Sequence, residues 1–297
     1  EKKLRLKMIW LIGNRGMLGS DVDAALKAAG LRYCVSDMDV DIRDIDTLRG
    51  FAQGKGIRWI VNCAAYTAVD QAEEEADRAF GINAEGVRNI AIVSREIDAT
   101  LVHVSTDYVF SGDKDGVYTE SDETGPMGVY GRSKLEGELY IAKNLDKYFI
   151  LRIAWLYGKH GKNFVYTMLR LFGERDEVRV VADQWGSPTW SKDVADVIVK
   201  IIAGGSNHYG IYHYTNEGRA NWFEFACEIY HLAKEYGIVN REVRILPIRT
   251  DEYPTKAKRP GNSYLSKKKV KKVFGVPVPD WKISLKEYIS IIANSKL

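Results

Sequence analysis

Short apolar runs alternate with longer amphipathic stretches through the first half of the chain. Met8–Ile12, Leu31–Ser36, Ile57–Cys63, Thr100–Ser105 and Tyr148–Ile153 are strand-length runs rich in branched and aromatic residues. Between the first two, residues 17–29 set Leu18, Val22, Ala25, Leu26 and Ala29 at helical spacing, and helical patterns also fill 44–54, 72–97 and 130–145. Strands that alternate with helices of this length predict right-handed βαβ units. The sheet is then parallel and covered on both faces, an α/β doubly wound architecture.

The second half follows another pattern. Helices are predicted at Asn163–Phe172, Val194–Ile202, Trp222–Tyr236 and Lys282–Ala293, with short strands at Val178–Val181 and Gly210–Tyr214. Residues 240–280 hold five of the seven prolines and read as irregular. This change of pattern predicts a dinucleotide-type domain over 1–155. Residues 156–297 would form mainly a smaller α+β substrate domain, with some segments returning to the first.

Length and charge narrow the classes. At 297 residues the chain is near the upper limit for one hydrophobic unit, which suits a large domain with an appendage. A hydrophobic fraction of 45% and a net charge of +3 disfavour disorder. The same small charge argues against a nucleic-acid partner. No run of about 18 apolar residues predicts a membrane span. After the basic start Glu1–Lys7, the run Met8–Ile12 is too short for a secretory h-region, so a cytoplasmic location is expected. Cys34, Cys63 and Cys227 form no zinc or redox spacing, and the five histidines show no metal spacing, so no metal is expected.

Candidate chemistry begins at Gly13-Asn14-Arg15-Gly16-Met17-Leu18-Gly19, between the first strand and the first helix. Glycines there permit a tight turn and close backbone approach to a pyrophosphate. The helix start then offers free N–H groups and a positive dipole end. Asp37, at the end of the second strand, suits ribose hydroxyls and NADH, whereas Arg15 suits a 2′-phosphate and NADPH. The two cofactors stay as alternatives. Asp41 and Ile42 follow closely and are candidates to flank the adenine.

Tyr130 and Lys134 are spaced i, i+4 at the start of a predicted helix, which puts phenol and ammonium on one face. A nearby cation is expected to lower the phenol pKa and fit Tyr130 for acid–base work. The fourth strand ends in Ser105-Thr106-Asp107, where the C-terminal ends of parallel strands bind ligands. A hydroxyl there can polarise a substrate carbonyl.

Taken together, the glycine turn, the strand-end hydroxyls and the Tyr–Lys pair resemble the extended short-chain dehydrogenase/reductases, Rossmann-type enzymes. Within them the chain is most similar to the dTDP-4-dehydrorhamnose reductases. Segments 61–73, 103–110 and 130–138 carry that resemblance, and 152–158, 163–164, 183–189 and 259–263 extend it over nearly the whole chain. The resemblance implies NAD(P)H-dependent reduction of the 4-keto group of a dTDP-sugar. It implies Tyr130 as general acid, Lys134 as its pKa partner and ribose ligand, and Thr106 as the polarising hydroxyl. Asp107, Trp155 and Asn163 would meet the sugar nucleotide, and Arg259 its diphosphate. Gly16, Met17 and Leu18 would lie on the cofactor pyrophosphate, and Ala65, Tyr66 and Thr67 would line the cofactor site. A homodimer is a further expectation. Sister dTDP-keto-sugar reductases, and the non-catalytic NADP-binding regulatory subunit of methionine adenosyltransferase, resemble the chain through the same motifs.

Other features read more plainly. Lys267–Lys272 is the densest basic run and is expected to be the solvated face of a short helix, adding positive field near an anionic sugar nucleotide. Glu73–Glu75 is expected to sit favourably at a helix start. Trp222, Phe223 and Phe225 read as packing residues, and Cys63 as a small buried side chain without chemistry.

Overall fold

The computed structural model describes residues 8–295, so the basic start Glu1–Lys7 lies outside them. Five strands, β1 (Met8–Ile12), β2 (Tyr33–Ser36), β3 (Ile57–Asn62), β4 (Thr100–Thr106) and β5 (Tyr148–Ile153), form the predicted parallel sheet. A sixth, Gly210–His213, pairs in parallel with the outer edge of β5, giving the order Gly210–His213, β5, β4, β3, β1, β2. The order reverses beside β1, and the crevice at that reversal is where such sheets bind ligands.

Strands β1, β3, β4 and β5 are buried on both faces along most of their length, which explains their nearly unbroken apolar sequences, while the edge strand β2 is only partly covered. Ile9 and Leu11 face α1 (Met17–Ala28) and the helix Ser191–Gly204, through Leu18, Val22, Val194 and Ile198. Their neighbours Trp10 and Ile12 face Ile45–Ala52 and Gly86–Glu96 on the other side, through Leu48, Val87 and Ile90. Helix Ser191–Gly204 and strand Gly210–His213 thus cross back to the first sheet from beyond residue 155.

A separate core fills the C-terminal part. Helices Phe164–Glu174, Trp222–Glu235 and Trp281–Asn294 pack around Phe172, Phe225, Ile229 and Leu285. A parallel pair, Glu177–Val181 with Arg244–Ile248, completes it. The second of these strands lies in the segment read as irregular. Pro247 obscures it in sequence, yet it pairs on one side only, so the missing N–H breaks no ladder.

The helical pattern over 72–97 resolves into pieces: Val69–Ala72, Ala76–Phe80, a π turn at Gly81–Glu85, and Gly86–Glu96. Glu75 leaves helical geometry at φ −113°, ψ 45° and separates the first two pieces. The π turn keeps Ala79, Ala84 and Val87 buried, so the apolar spacing runs on across it.

One buried ion pair ties the sheet to the helix Val129–Asn144. Arg152 of β5 meets Glu138 through Nη2–Oε2 at 2.6 Å and Nε–Oε1 at 3.0 Å, and Ser105 of β4 donates its hydroxyl to the same carboxylate. Both charged side chains are at least 97% excluded from water. Removing one partner of such a pair strands the other charge. Arg152→Met is therefore expected to cost about 3–5 kcal/mol in urea unfolding, and a further Glu138→Leu to recover most of the loss. A single variant of unchanged midpoint would contradict this.

Candidate active site

The glycine turn is shaped by contact as well as conformation. Gly13 takes φ +79°, and a Cβ there would lie 2.7 Å from the Ala64 nitrogen. A Cβ on Gly19 would overlap the Gly13 carbonyl. Gly16 is the N-cap of α1 and has no side chain to cap it. The first N–H groups of the helix are left for an external acceptor, which fits a pyrophosphate.

Asp37 and Arg15 meet at this turn. The Asp37 carboxylate accepts from the Arg15 backbone N–H at 3.0 Å and from the Met38 N–H at 3.0 Å. Asp37 thereby braces the glycine turn. Asp41 is held by Arg43 in a fork at 2.7–3.1 Å. Ile42 is a core residue, and its carbonyl accepts from Asn89.

Ala65, Tyr66 and Thr67 follow β3. The Asn83 side chain accepts from the Tyr66 N–H at 2.9 Å and donates to the Tyr66 carbonyl at 3.0 Å. It also donates to the Ser133 hydroxyl at 3.0 Å. Asn83 thus joins the 65–67 loop to the helix that carries Tyr130 and Lys134. Its only sequence signal is a carboxamide within an apolar helical face, made useful by the π turn.

Helix Val129–Asn144 starts at Gly128, which offers no cap, and Glu73 supplies one by accepting the Val129 N–H at 2.8 Å. Of the three acids expected to serve a local helix start, Glu73 instead serves this remote one. The first turn brings Tyr130 against the end of β4. Its ring packs edge-to-face on Tyr108 at 5.5 Å, and its phenol lies within hydrogen-bond reach of Thr106. The Thr106 hydroxyl donates to Asp107 at 3.0 Å and accepts the Tyr108 N–H at 3.2 Å. Ser105 points away, to Glu138.

The electrostatics differ from the expectation for Tyr130. Burial raises its phenol pKa, the Thr106 hydrogen bond opposes this, and Asp107 and Tyr108 add to the rise. Desolvation dominates, no cation is among the groups that shift the phenol, and it keeps its proton. Lys134 is itself buried, and burial brings its ammonium down to about 8, against the pull of Glu138 and Cys63. Its Nζ donates to the Val104 carbonyl at 2.6 Å and lies 3.3 Å from His103 Nε2. The Cys63 thiol is pushed up to about 12 by burial.

Asp107 is buried with Oδ2 lacking a hydrogen-bond partner among the described residues. Arg259 donates to Asp70 at 2.5 Å, lies by Tyr108, and leaves Nη1 without such a partner. Trp155 takes φ +50° and stacks on Trp222 at 3.7 Å, above Gly186, where a Cβ would meet the indole at 2.6 Å. Asn163 is committed to its own helix: it accepts the Tyr166 N–H at 3.1 Å and donates to the Gly158 carbonyl at 2.8 Å.

The structure thus gathers Thr106, Asp107, Tyr108, Tyr130 and Arg259 at the C-terminal end of β4. Lys267–Lys272 lies elsewhere. Lys267 sits over Tyr264, Lys269 donates to the Ile211 carbonyl and Lys271 pairs with Glu217. Among the described residues, no group of three or more His, Cys, Asp or Glu is placed to hold a metal, and no helix is long and apolar enough to cross a membrane.

A parallel sheet with this switch point and this Tyr–Lys helix is the plan of a Rossmann-type extended short-chain dehydrogenase/reductase. The chain belongs, within that class, to the family described as RmlD substrate binding domain, whose model matches residues 7–294. It is 41% identical over 283 residues to a dTDP-4-dehydrorhamnose reductase of Aggregatibacter actinomycetemcomitans, covering 93% of this chain and 96% of that one. A crystal structure of a dTDP-4-dehydrorhamnose reductase from Clostridium acetobutylicum superposes with a TM-score of 0.90 at 40% identity, covering 96% and 99% of the two chains. The Bacillus anthracis dTDP-4-dehydrorhamnose reductase in complex with NADP gives 0.90 at 39% identity over the same shares.

Burial holds the Asp107 carboxyl up near 6, against the lowering effect of hydrogen bonds from Ser263 and Thr106. The folded chain therefore binds more protons than the unfolded one between about pH 4 and 6, and stability falls as pH rises through that window. Asp107→Asn removes this penalty. It is expected to be more stable than the parent at pH 7 by about 3 kcal/mol, with the two converging below pH 4. Denaturant titrations at both pH values check the sign.

Proposed function

We propose that this chain reduces the 4-keto group of dTDP-4-dehydro-L-rhamnose to dTDP-L-rhamnose, with NADPH or NADH as reductant. The observation that carries the reading is Tyr130, partly buried and packed edge-to-face on Tyr108 at the end of β4, its phenol kept protonated beside the Thr106 hydroxyl. Membership of a family whose similar relatives bear that activity's name supports the choice of substrate. When bound, the nicotinamide cofactor supplies the hydride.

The chain's own residues do the rest. When the sugar binds, the Thr106 hydroxyl turns its one hydrogen from Asp107 to the C4 oxygen and polarises the carbonyl, its oxygen still held by the Tyr108 N–H. Tyr130 donates its proton to the developing C4 oxyanion, and its raised pKa keeps that proton available at neutral pH. The unpartnered Oδ2 of Asp107 takes a sugar hydroxyl. Trp155 gives the sugar a flat wall that the stack on Trp222 immobilises. The unpartnered Nη1 of Arg259 faces a diphosphate oxygen. Gly16, Met17 and Leu18 present N–H groups to the cofactor pyrophosphate, while Lys134 and the 65–67 loop hold its nucleoside part. In this reading residues up to about 155 carry the dinucleotide and the later ones mainly the sugar nucleotide.

Tyr130→Phe keeps the ring packing on Tyr108 and removes only the proton. Turnover of dTDP-4-dehydro-L-rhamnose, followed by nicotinamide absorbance, is expected to fall about 10²–10⁴-fold, with cofactor affinity within about threefold by fluorescence titration. Parent-like turnover in this variant would refute the mechanism. Identification of the product sugar distinguishes a sister reductase of different stereochemistry.

A further inference from the structure

Behind Lys134 lies a polar pair that the reaction as described does not use. Asn62 on β3 and His103 on β4 are opposite each other in the sheet register. Both are buried, and their strand neighbours Ile60, Val61, Leu101, Val102 and Val104 are branched and apolar. A buried polar pair in that position is costly unless every atom is satisfied.

The hydrogen bonds fix more than position. Asn62 Oδ1 accepts from the Ala64 N–H at 3.0 Å, so the carboxamide nitrogen is the end that faces His103. That nitrogen lies 3.1 Å from His103 Nδ1 and donates to it. Nδ1 is then an acceptor and carries no hydrogen. Burial keeps the ring neutral, so its one hydrogen sits on Nε2. Nε2 in turn lies 3.3 Å from Lys134 Nζ.

An ammonium at Nζ has three hydrogens and no acceptor site, so the His103 N–H would face it donor to donor. An amine has two hydrogens and a lone pair. One hydrogen serves the Val104 carbonyl at 2.6 Å, the lone pair accepts from Nε2, and one hydrogen is left for the site. The hydrogen-bond count around Nζ closes for the amine and fails by one for the ammonium.

We propose that His103, locked as its Nε2–H tautomer by Asn62, is a positioning residue that stabilises the amine form of Lys134 and so makes it a ready proton donor. This rests on the site reading above. After Tyr130 has given its proton to the C4 oxygen, the phenol must be reprotonated. Lys134 releases a proton toward the phenol and is left as the amine, which His103 receives with an N–H. The charge count balances: phenolate plus ammonium becomes phenol plus amine. The other groups facing Nζ are the Cys63 thiol from the segment after β3 and Glu138 on its own helix, whose charge is taken by Arg152 of β5. None of these offers an N–H to the lone pair.

The test compares His103→Leu with His103→Gln in the full-length enzyme, through the pH profile of kcat. The alkaline limb is expected near pH 8, where Lys134 titrates. His103→Leu removes the N–H and should move that limb up by about one unit, a tenfold gain in proton affinity, with cofactor KM within about threefold. His103→Gln, which keeps an N–H, should restore most of the shift. A limb in His103→Leu that stays at the parent position, or coincident profiles for the two variants, overturns the proposal. The parent protein labelled with ¹⁵N-histidine gives an answer even if the variants fold poorly. Its buried His103 ring should show hydrogen on Nε2 alone, and a charged or Nδ1–H ring overturns the proposal. Failure of the underlying site reading is seen separately, as an active Tyr130→Phe, and leaves the NMR result unchanged.

Discussion

Helix Val129–Asn144 approaches the end of β4 and the π turn more closely than side chains would allow. A Cβ at Gly131 would overlap the Tyr108 carbonyl, and one at Gly137 the Asn83 carbonyl. These two contacts set the depth at which the helix lies. At that depth its inner face presents Tyr130, Lys134 and Glu138 to the sheet, the last two out of water and Tyr130 partly so. Every partner found for them follows from this: Thr106 for the phenol, Val104 and His103 for the amine, Arg152 and Ser105 for the carboxylate. A shallower helix would expose these groups and relax their pKa values toward ordinary ones.

Much of this plan was legible in the sequence. The five apolar runs gave the strands to within about two residues, because a strand buried on both faces must be apolar at almost every position. The glycine turn and the i, i+4 Tyr–Lys pair were legible because each is local. What stayed hidden was set by partners far along the chain. Nothing near Glu73 shows that it caps a helix starting at residue 129, and nothing near Asn83 points to Tyr66 or Ser133. Asn62 and His103 lie 41 residues apart in sequence, and only the sheet register places them side by side. Asn163 matched a family motif, yet both ends of its carboxamide are spent on its own helix and the preceding turn.

Charge behaves in the same way. The basic run Lys267–Lys272 drew attention by density, but burial over Tyr264 and pairing with Glu217 use much of it locally. Arg259 stands outside that run. Asp70 holds it from one side, it lies against Tyr108, and one guanidinium N–H is left over. Sequence density measures how much charge is present; unsatisfied hydrogen-bonding capacity measures what is still available to a ligand.

The sixth strand of the sheet also bears on how the protein is made. Among the described residues the outer edge of β5 is covered by Gly210–His213, and one face of the sheet is completed by Ser191–Gly204. As the chain emerges from the ribosome in order, β1 to β5 can pair while the edge of β5 is still bare. At roughly 5–20 residues per second, that edge waits for seconds with unpaired N–H and C=O groups, a template for pairing with another nascent chain. The late strand is therefore a closing seam. The interval between synthesis of residues 153 and 213 is the time in which a holdase chaperone would have most effect on yield.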